Sequence, residues 1–262
     1  MKRARIAFVF SVPISVLGGL IGLGGAEFRL PVLKGPMRYS AKEAVPLNLS
    51  VSLVTLVVSL LTRAGTLPLR PLADLSPIIV SLAVGAIVAA FFGTGLVKGL
   101  SERRLEAMIL VLLVAIGAAL IVESFIPQSD FGLVPSGFSW SIAVGVLFGL
   151  AIGLVSSVLG VAGGELIIPT LIFGFGVAVK IAGTASLLVS LPTVTVGLIR
   201  YARQGTFSKR AVFNETIVPM GFGSAIGALV GGLLVGLVPS SFLKFLLGIV
   251  LIVSAIRIIR SS

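Results

Sequence analysis

The stretch Leu150–Leu171, reading LAIGLVSSVLGVAGGELIIPTL, decides the fold because it places a diglycine, one Glu and one Pro inside otherwise apolar sequence. Between Ser139 and Val179 the only charged residue is Glu165. A run of about 40 residues, rising 1.5 Å each, would make a helix about 60 Å long. That length is about twice the hydrocarbon thickness of a membrane. The stretch therefore predicts a helix that breaks at Gly163-Gly164, where the backbone is most flexible.

A second copy of this pattern is Leu17–Leu33, reading LGGLIGLGGAEFRLPVL, and its break is expected at Gly24-Gly25. Matches at a constant offset of 138 residues pair Gly22 with Gly160, Gly25 with Gly163, Glu27 with Glu165, Pro31 with Pro169, Ser52 with Ser190 and Thr55 with Thr193. A run of matches at one offset indicates duplicated halves. The predicted division is a first transmembrane repeat at 1–122, a polar connecting loop at 123–138 and a second transmembrane repeat at 139–262.

The composition is that of a membrane protein. Hydrophobic residues make up 57% of the chain and charged residues 11%, and the mean hydropathy is +1.20. The net charge of +11 comes from Lys and Arg in short connections, which indicates membrane topology rather than nucleic-acid binding. The chain has no Cys and no His, which excludes disulfides, thiolate or imidazole metal sites and the usual nucleophile-base pairs. We expect no metal site, no cofactor and no nucleic-acid partner.

Eight apolar elements, four in each half, are predicted at about 6–33, 44–61, 77–97, 105–122, 139–178, 181–199, 216–238 and 241–259. If both broken elements cross the membrane fully, eleven basic residues lie inside and eight outside. If each returns as a hairpin, fifteen lie inside: Lys2, Arg3, Arg5, Lys34, Arg38, Lys42, Lys98, Arg103, Arg104, Arg200, Arg203, Lys209, Arg210, Arg257 and Arg260. The four outside are then Arg63, Arg70, Lys180 and Lys244. The hairpins obey the positive-inside rule better.

Two hairpins leave three full spans in each half, and an odd number of spans makes the halves inverted repeats. The predicted fold is therefore an all-α polytopic membrane protein of two inverted repeats. Each repeat has four apolar elements, and its first element is broken or re-entrant at the Gly-rich motif. Whether these elements stop midway or cross as two tight full spans stays open.

The spacing Gly22-x-Gly24-Gly25 with Pro31, repeated as Gly160-x-Ala162-Gly163-Gly164 with Pro169, resembles the duplicated signature of the sulfite exporter TauE/SafE family. The resemblance covers the whole chain. It implies a multi-pass permease of the bacterial cytoplasmic (inner) membrane that moves small anions, often sulfur oxyanions or sulfonates. The sequence departs from the usual pattern at Ala26 and Ala162, where Gly is more common. It also departs at Glu27 and Glu165, where a hydrophobic residue is more common.

The half-helix after each break is predicted to bind an anion. Its first amides lack intrahelical partners and carry the positive end of the helix dipole, and glycines let an anion approach the backbone. Hydroxyls and one amide in the following helices could complete a site between the two broken elements. The predicted substrate-binding residues are Gly24, Gly25, Glu27, Pro31, Asn48, Ser52, Gly163, Gly164, Glu165, Pro169, Thr184, Ser186 and Ser190.

Several roles stay open. Glu27 and Glu165 either cap the half-helices or act as proton-coupling carboxylates. Each Ser or Thr could instead bond back to its own helix. Arg29 could pair with Glu27, contact substrate or extend to the inner surface. The glycines of 221–232 predict a close helix contact, within the chain or in a homodimer.

We predict a secondary transporter that works by alternating access at the interface of the repeats. An anion channel shares the predicted architecture. An intramembrane, Glu-dependent hydrolase is the remaining alternative.

Overall fold

The chain is mostly α-helical in the part described by a computed structural model, which comprises residues 2–68, 70–96, 102–125, 132–134, 137–159, 162–203 and 212–261. In the first half the helices are α1 Lys2–Ile21, α2 Ala26–Lys34, α3 Ala41–Thr66, α4 Arg70–Asp74, α5 Ser76–Leu96 and α6 Glu102–Ser124. In the second half they are α7 Phe138–Leu159, α8 Gly164–Pro169, α9 Val179–Arg203, α10 Val218–Leu234 and α11 Ser240–Ser261. A π-helical turn, Thr170–Gly174, extends α8, and another, Phe213–Ile217, precedes α10.

Five described helical stretches are long and apolar enough to cross a membrane: Arg3–Ile21, Glu43–Thr66, Ser139–Ser156, Val179–Arg203 and Phe213–Leu234. Shorter apolar stretches lie at Ser76–Phe91, Leu113–Ser124 and Ser240–Val253. Large apolar side chains such as Leu61, Phe91 and Phe222 are exposed on the outer surface of the helices. Such a surface suits lipid rather than water, and the prediction of an all-α, multi-pass membrane protein is confirmed.

Both predicted helix breaks are present. Between α1 and α2, Gly22, Gly24 and Gly25 have φ values of +99°, +82° and +73°. Between α7 and α8, Gly163 has a φ of +80°. A positive φ is accessible to glycine at little cost, whereas a side chain makes it unfavourable. These glycines therefore allow the helix to end and a new one to begin inside the membrane.

After its break, the first broken element returns to the side on which it started. Gly25, at the start of α2, lies against the side chain of Ile14, which places α2 alongside α1. Tyr39, just after α2, lies next to the start of α1, with the Arg3 guanidinium 5.7 Å from its ring centroid. Because α2 has nine residues and is about 13 Å long, it is too short to cross the membrane.

The second broken element returns in the same way. The segment before α7 pairs with the end of the π-helical turn after α8. The amide of Leu133 donates to the carbonyl of Phe173 at 3.0 Å, and that of Val134 donates to Gly174 at 2.9 Å. Both broken elements therefore turn back toward their own starts, and their re-entrant placement in the membrane stays a prediction.

Helices of the first half pack mainly on helices of the second half. Helix α1 packs on α10 and α7 packs on α5, while α3 and α9 contact each other between these pairs. One pair of close backbone contacts matches at the offset of 138 residues, because Gly223 lies against the carbonyl of Phe8 and Gly85 against that of Val146. This exchange is what two related halves would produce. Their inversion across the membrane and the predicted division at 123–138 stay predictions, and 126–131, 135 and 136 lie outside the described residues.

The glycine-rich helix α10 makes its close contact within the chain. Gly223, Gly227 and Gly231 face the backbone of α1, and a Cβ at any of them would collide with a carbonyl of that helix. Of the two predicted uses of these glycines, the contact inside the fold is confirmed. A homodimer stays a prediction.

Two basic residues that the charge count placed on the outer side are buried inside helices. Arg63 lies in the last turn of α3 and is 0% exposed. Lys244 lies at the start of α11 and donates to Glu123 of α6. Each cation has protein partners that replace water, and the side of the membrane on which it lies stays a prediction.

Candidate functional site

The two helix breaks face each other in the middle of the protein. A Cβ built on Gly164 would lie 3.2 Å from the carbonyl oxygen of Leu23, and one built on Gly24 would lie 3.8 Å from the Cβ of Ala162. Gly22 packs directly on the backbone of Gly183 in α9. The starts of α2 and α8 therefore meet where the sequence predicted a shared site.

The two glutamates occupy the first turns of these half-helices. Glu27 is 9% exposed and Glu165 is 5% exposed. Glycine, which has no side chain to cap the helix, precedes each of them at Gly25 and Gly163. A carboxylate in the first turn is stabilised by the positive end of the helix dipole. This position fits both predicted roles, capping and proton coupling.

Arg29 is fully buried and binds to neutral oxygens around the first break. Its guanidinium donates to the Gly24 carbonyl at 2.8 Å, to Ser52 Oγ and Thr55 Oγ1 at 2.9 Å each, and to Ser15 Oγ at 3.3 Å. The Glu27 carboxylate lies within electrostatic reach of the same group. Of the three roles that the sequence left open, extension to the inner surface is wrong.

Asn48 and Ser186 occupy matching places beside the two half-helices. Asn48 donates from Nδ2 to the carbonyl of Ala26 at 2.9 Å. Ser186 Oγ lies 3.1 Å from the Cβ position of Gly164, the residue that corresponds to Ala26 at the offset of 138. The structure thus brings both predicted side chains to the paired breaks.

Four polar side chains on α3 and α9 differ in whether they have a hydrogen-bond partner in the protein. Ser52 accepts a hydrogen bond from Arg29, and Thr193 Oγ1 donates back to the carbonyl of Val189 at 2.9 Å. Within the described part of the chain, Ser186 Oγ and Ser190 Oγ have no hydrogen-bond partner, although both residues are at most 1% exposed. A buried hydroxyl without a partner is costly, but Ser59 and Ser224 share this property, so Ser186 and Ser190 are candidate ligand groups because of their places in the repeat.

Arg63 joins the two halves at the end of α1 and was missed by the sequence-based site. It donates to the carbonyls of Gly19 and Leu20 at 3.0 and 2.7 Å, which α1 leaves open where it ends. It also donates to Thr184 Oγ1 at 2.9 Å. Thr184, which the sequence predicted to bind substrate, therefore accepts a hydrogen bond that links α9 to Arg63 of α3.

The two prolines of the motif lie away from the paired breaks. Pro31 is on the exposed side of α2, and its carbonyl accepts from Gly35 at 2.8 Å. Pro169 is buried at the end of α8, where the π-helical turn begins. Both shape the half-helices instead of reaching the site.

Comparison with known proteins identifies one family. The family model of the sulfite exporter TauE/SafE matches residues 1–125 and 144–262. No curated protein and no solved structure gives a significant match.

Proposed function

Because the chain belongs to the sulfite exporter TauE/SafE family, a family of membrane transporters, we propose that it carries a small sulfur-containing anion across the cytoplasmic membrane. The anion is a sulfur oxyanion, a sulfonate or a related organic anion. It binds where the two broken helices meet. The chain acts as a carrier and not as an enzyme.

The observation that supports this site is the meeting of two half-helix starts in the protein core. Each start offers backbone amides without intrahelical partners and the positive end of a helix dipole. The backbones of Leu23 and Gly164 approach closely because Gly164 has no side chain. An anion between the starts can accept hydrogen bonds from both halves without a Lys or Arg in direct contact. The hydroxyl of Ser186 and the amide group of Asn48 complete the donor set.

The exchanged packing supports alternating access. Helices α1 and α10 form one pair and α5 and α7 the other. Each pair joins helices from both halves and includes the first helix of one broken element, α1 or α7, while α3 and α9 contact each other between the pairs. Rocking of one pair against the other would expose the site to one side of the membrane at a time.

A flux screen in proteoliposomes tests this proposal. We expect uptake of at least one of sulfite, thiosulfate, sulfoacetate and taurine, and saturation of that uptake with rising substrate concentration. Measuring at pH 6 and pH 8 tests the predicted proton coupling through Glu27 and Glu165, with Glu165→Gln as the variant. Failure of all these anions to cross would contradict the proposal. Non-saturating flux with large currents would identify a channel.

A further inference from the structure

The first half of the protein contains a pocket built to hold a cation. Its ligands are the neutral oxygens of Gly24, Ser52, Thr55 and Ser15, and its occupant is the guanidinium of Arg29. All the contacts lie between 2.8 and 3.3 Å. The protein therefore binds a positive charge with carbonyl and hydroxyl oxygens at this helix break.

The second half repeats most of these ligand positions in its sequence but has no arginine at the position that corresponds to Arg29. At the offset of 138 residues, Ser52 and Thr55 correspond to Ser190 and Thr193, and Gly24 corresponds to Ala162. Arg29 corresponds to Ile167, which carries no charge.

The surroundings of the two pockets also match. Ile152 packs against Gly163 as Ile14 packs against Gly25. Arg29 Nη2 lies 3.2 Å from the Cβ position of Gly25, and Ser156 Oγ lies 3.5 Å from that of Gly163. Ser156 Oγ in the second half therefore lies near the position that corresponds to Arg29 Nη2 in the first half.

The first half-helix, α2, carries one positive side chain beside its glutamate that the second half-helix, α8, does not carry. In the first half Glu27 is accompanied by Arg29, two residues later in α2. In the second half Glu165 is followed by Ile167. The other buried guanidinium near α9, that of Arg63, is bound to Thr184, about 9 Å along the helix from Ser190. One monovalent cation near Ser190 would supply the second half with the kind of positive charge that Arg29 supplies in the first.

From this juxtaposition we infer that the second pocket, bounded by Ser156, Ala162, Glu165, Ser190 and Thr193, binds a sodium-sized monovalent cation. Hydroxyl, carbonyl and carboxylate oxygens are the ligands that hard cations prefer. The partnerless hydroxyl of Ser190 is the group that this ion would satisfy. Its role as the coupling ion rests on the proposed function, whereas the binding itself does not.

Thermal unfolding of the detergent-purified protein tests the site without any transported anion. We expect 100 mM NaCl to raise the unfolding temperature by about 3–6 °C over 100 mM choline chloride, for a dissociation constant of about 10 mM. KCl should give a smaller shift. Ser190→Ala should remove the sodium shift, and Ser224→Ala should keep it. Ser224 is the matched control because it is a fully buried serine on α10 whose hydroxyl also lacks a partner among the described residues.

A second variant, Ile167→Arg, places a guanidinium where the first half has one. We expect it to unfold at the same temperature in NaCl and in choline chloride, while binding of radioactive sodium falls at least tenfold. An unchanged sodium shift in Ser190→Ala, or no sodium effect on the wild-type protein, would overturn the inference even if anion flux is observed. Sodium binding without anion flux would keep this site and contradict the proposed function.

Discussion

Replacing Gly22 with Ala is expected to prevent the protein from folding. Gly22 has a φ of +99°, which is unfavourable for any residue with a side chain. A Cβ here would lie 2.6 Å from the carbonyl carbon of Gly183 and closer still to its oxygen. Because these atoms belong to backbone, they cannot move aside as a flexible side chain can. The strain and overpacking together should cost about 3–5 kcal/mol.

Size-exclusion chromatography of detergent-solubilised protein measures this effect. Gly22→Ala should reduce the monodisperse peak by at least about tenfold, as expected for a loss of several kcal/mol of stability. Gly65→Ala is the control, because a Cβ at Gly65 meets no atom within 4 Å. A normal peak for Gly22→Ala would show that the first break does not pack on α9 as described.

Replacing Arg29 with Met has the second largest expected effect. The substitution removes the cation that binds the Gly24 carbonyl and the hydroxyls of Ser52 and Thr55. It also leaves the Glu27 carboxylate in the core without the guanidinium beside it. Removing one member of a buried pair of charges typically costs about 3–5 kcal/mol.

The unfolding temperature should accordingly fall by roughly 10 °C in Arg29→Met, at about 2–4 °C per kcal/mol. Arg29→Lys keeps the charge but not the planar donor geometry, and its loss should be about half as large. Arg70→Met removes an exposed arginine and should change little. Equal unfolding temperatures for Arg29→Met and the wild-type protein would contradict the contacts assigned to Arg29.

The helix breaks could be predicted because membrane thickness limits the length of an apolar helix. The stretch around Gly163-Gly164 is too long for one span, and its copy at Gly24-Gly25 follows from the repeat. The return of each element could be predicted from the distribution of Lys and Arg. Both features depend on local sequence and on the membrane as solvent.

The contacts of buried charges could not be predicted in the same way. Arg63 and Thr184 are 121 positions apart, and only the folded chain shows that they meet. Sequence spacing alone predicts an exposed arginine near the end of a span. The role of Arg29 could not be predicted either, because only the folded chain shows the oxygens that it binds. The replacement of Arg29 by Ile167 in the second half becomes important only once those contacts are known.

Binding of radiolabelled sulfite, thiosulfate and sulfoacetate to purified Gly164→Ala is the most direct test of the shared site. A methyl group at Gly164 would enter the space between the two breaks, 3.1 Å from Ser186 Oγ and 3.2 Å from the Leu23 carbonyl. The backbone of Gly164 is not in the left-handed region, so the fold should persist. In Gly221→Ala, the control, the new methyl would lie 3.9 Å from the nearest side chain. We predict that Gly164→Ala weakens anion binding by at least about tenfold, which corresponds to about 1.4 kcal/mol, while Gly221→Ala binds like the wild-type protein. Equal binding by both variants would contradict an anion site between the paired helix breaks.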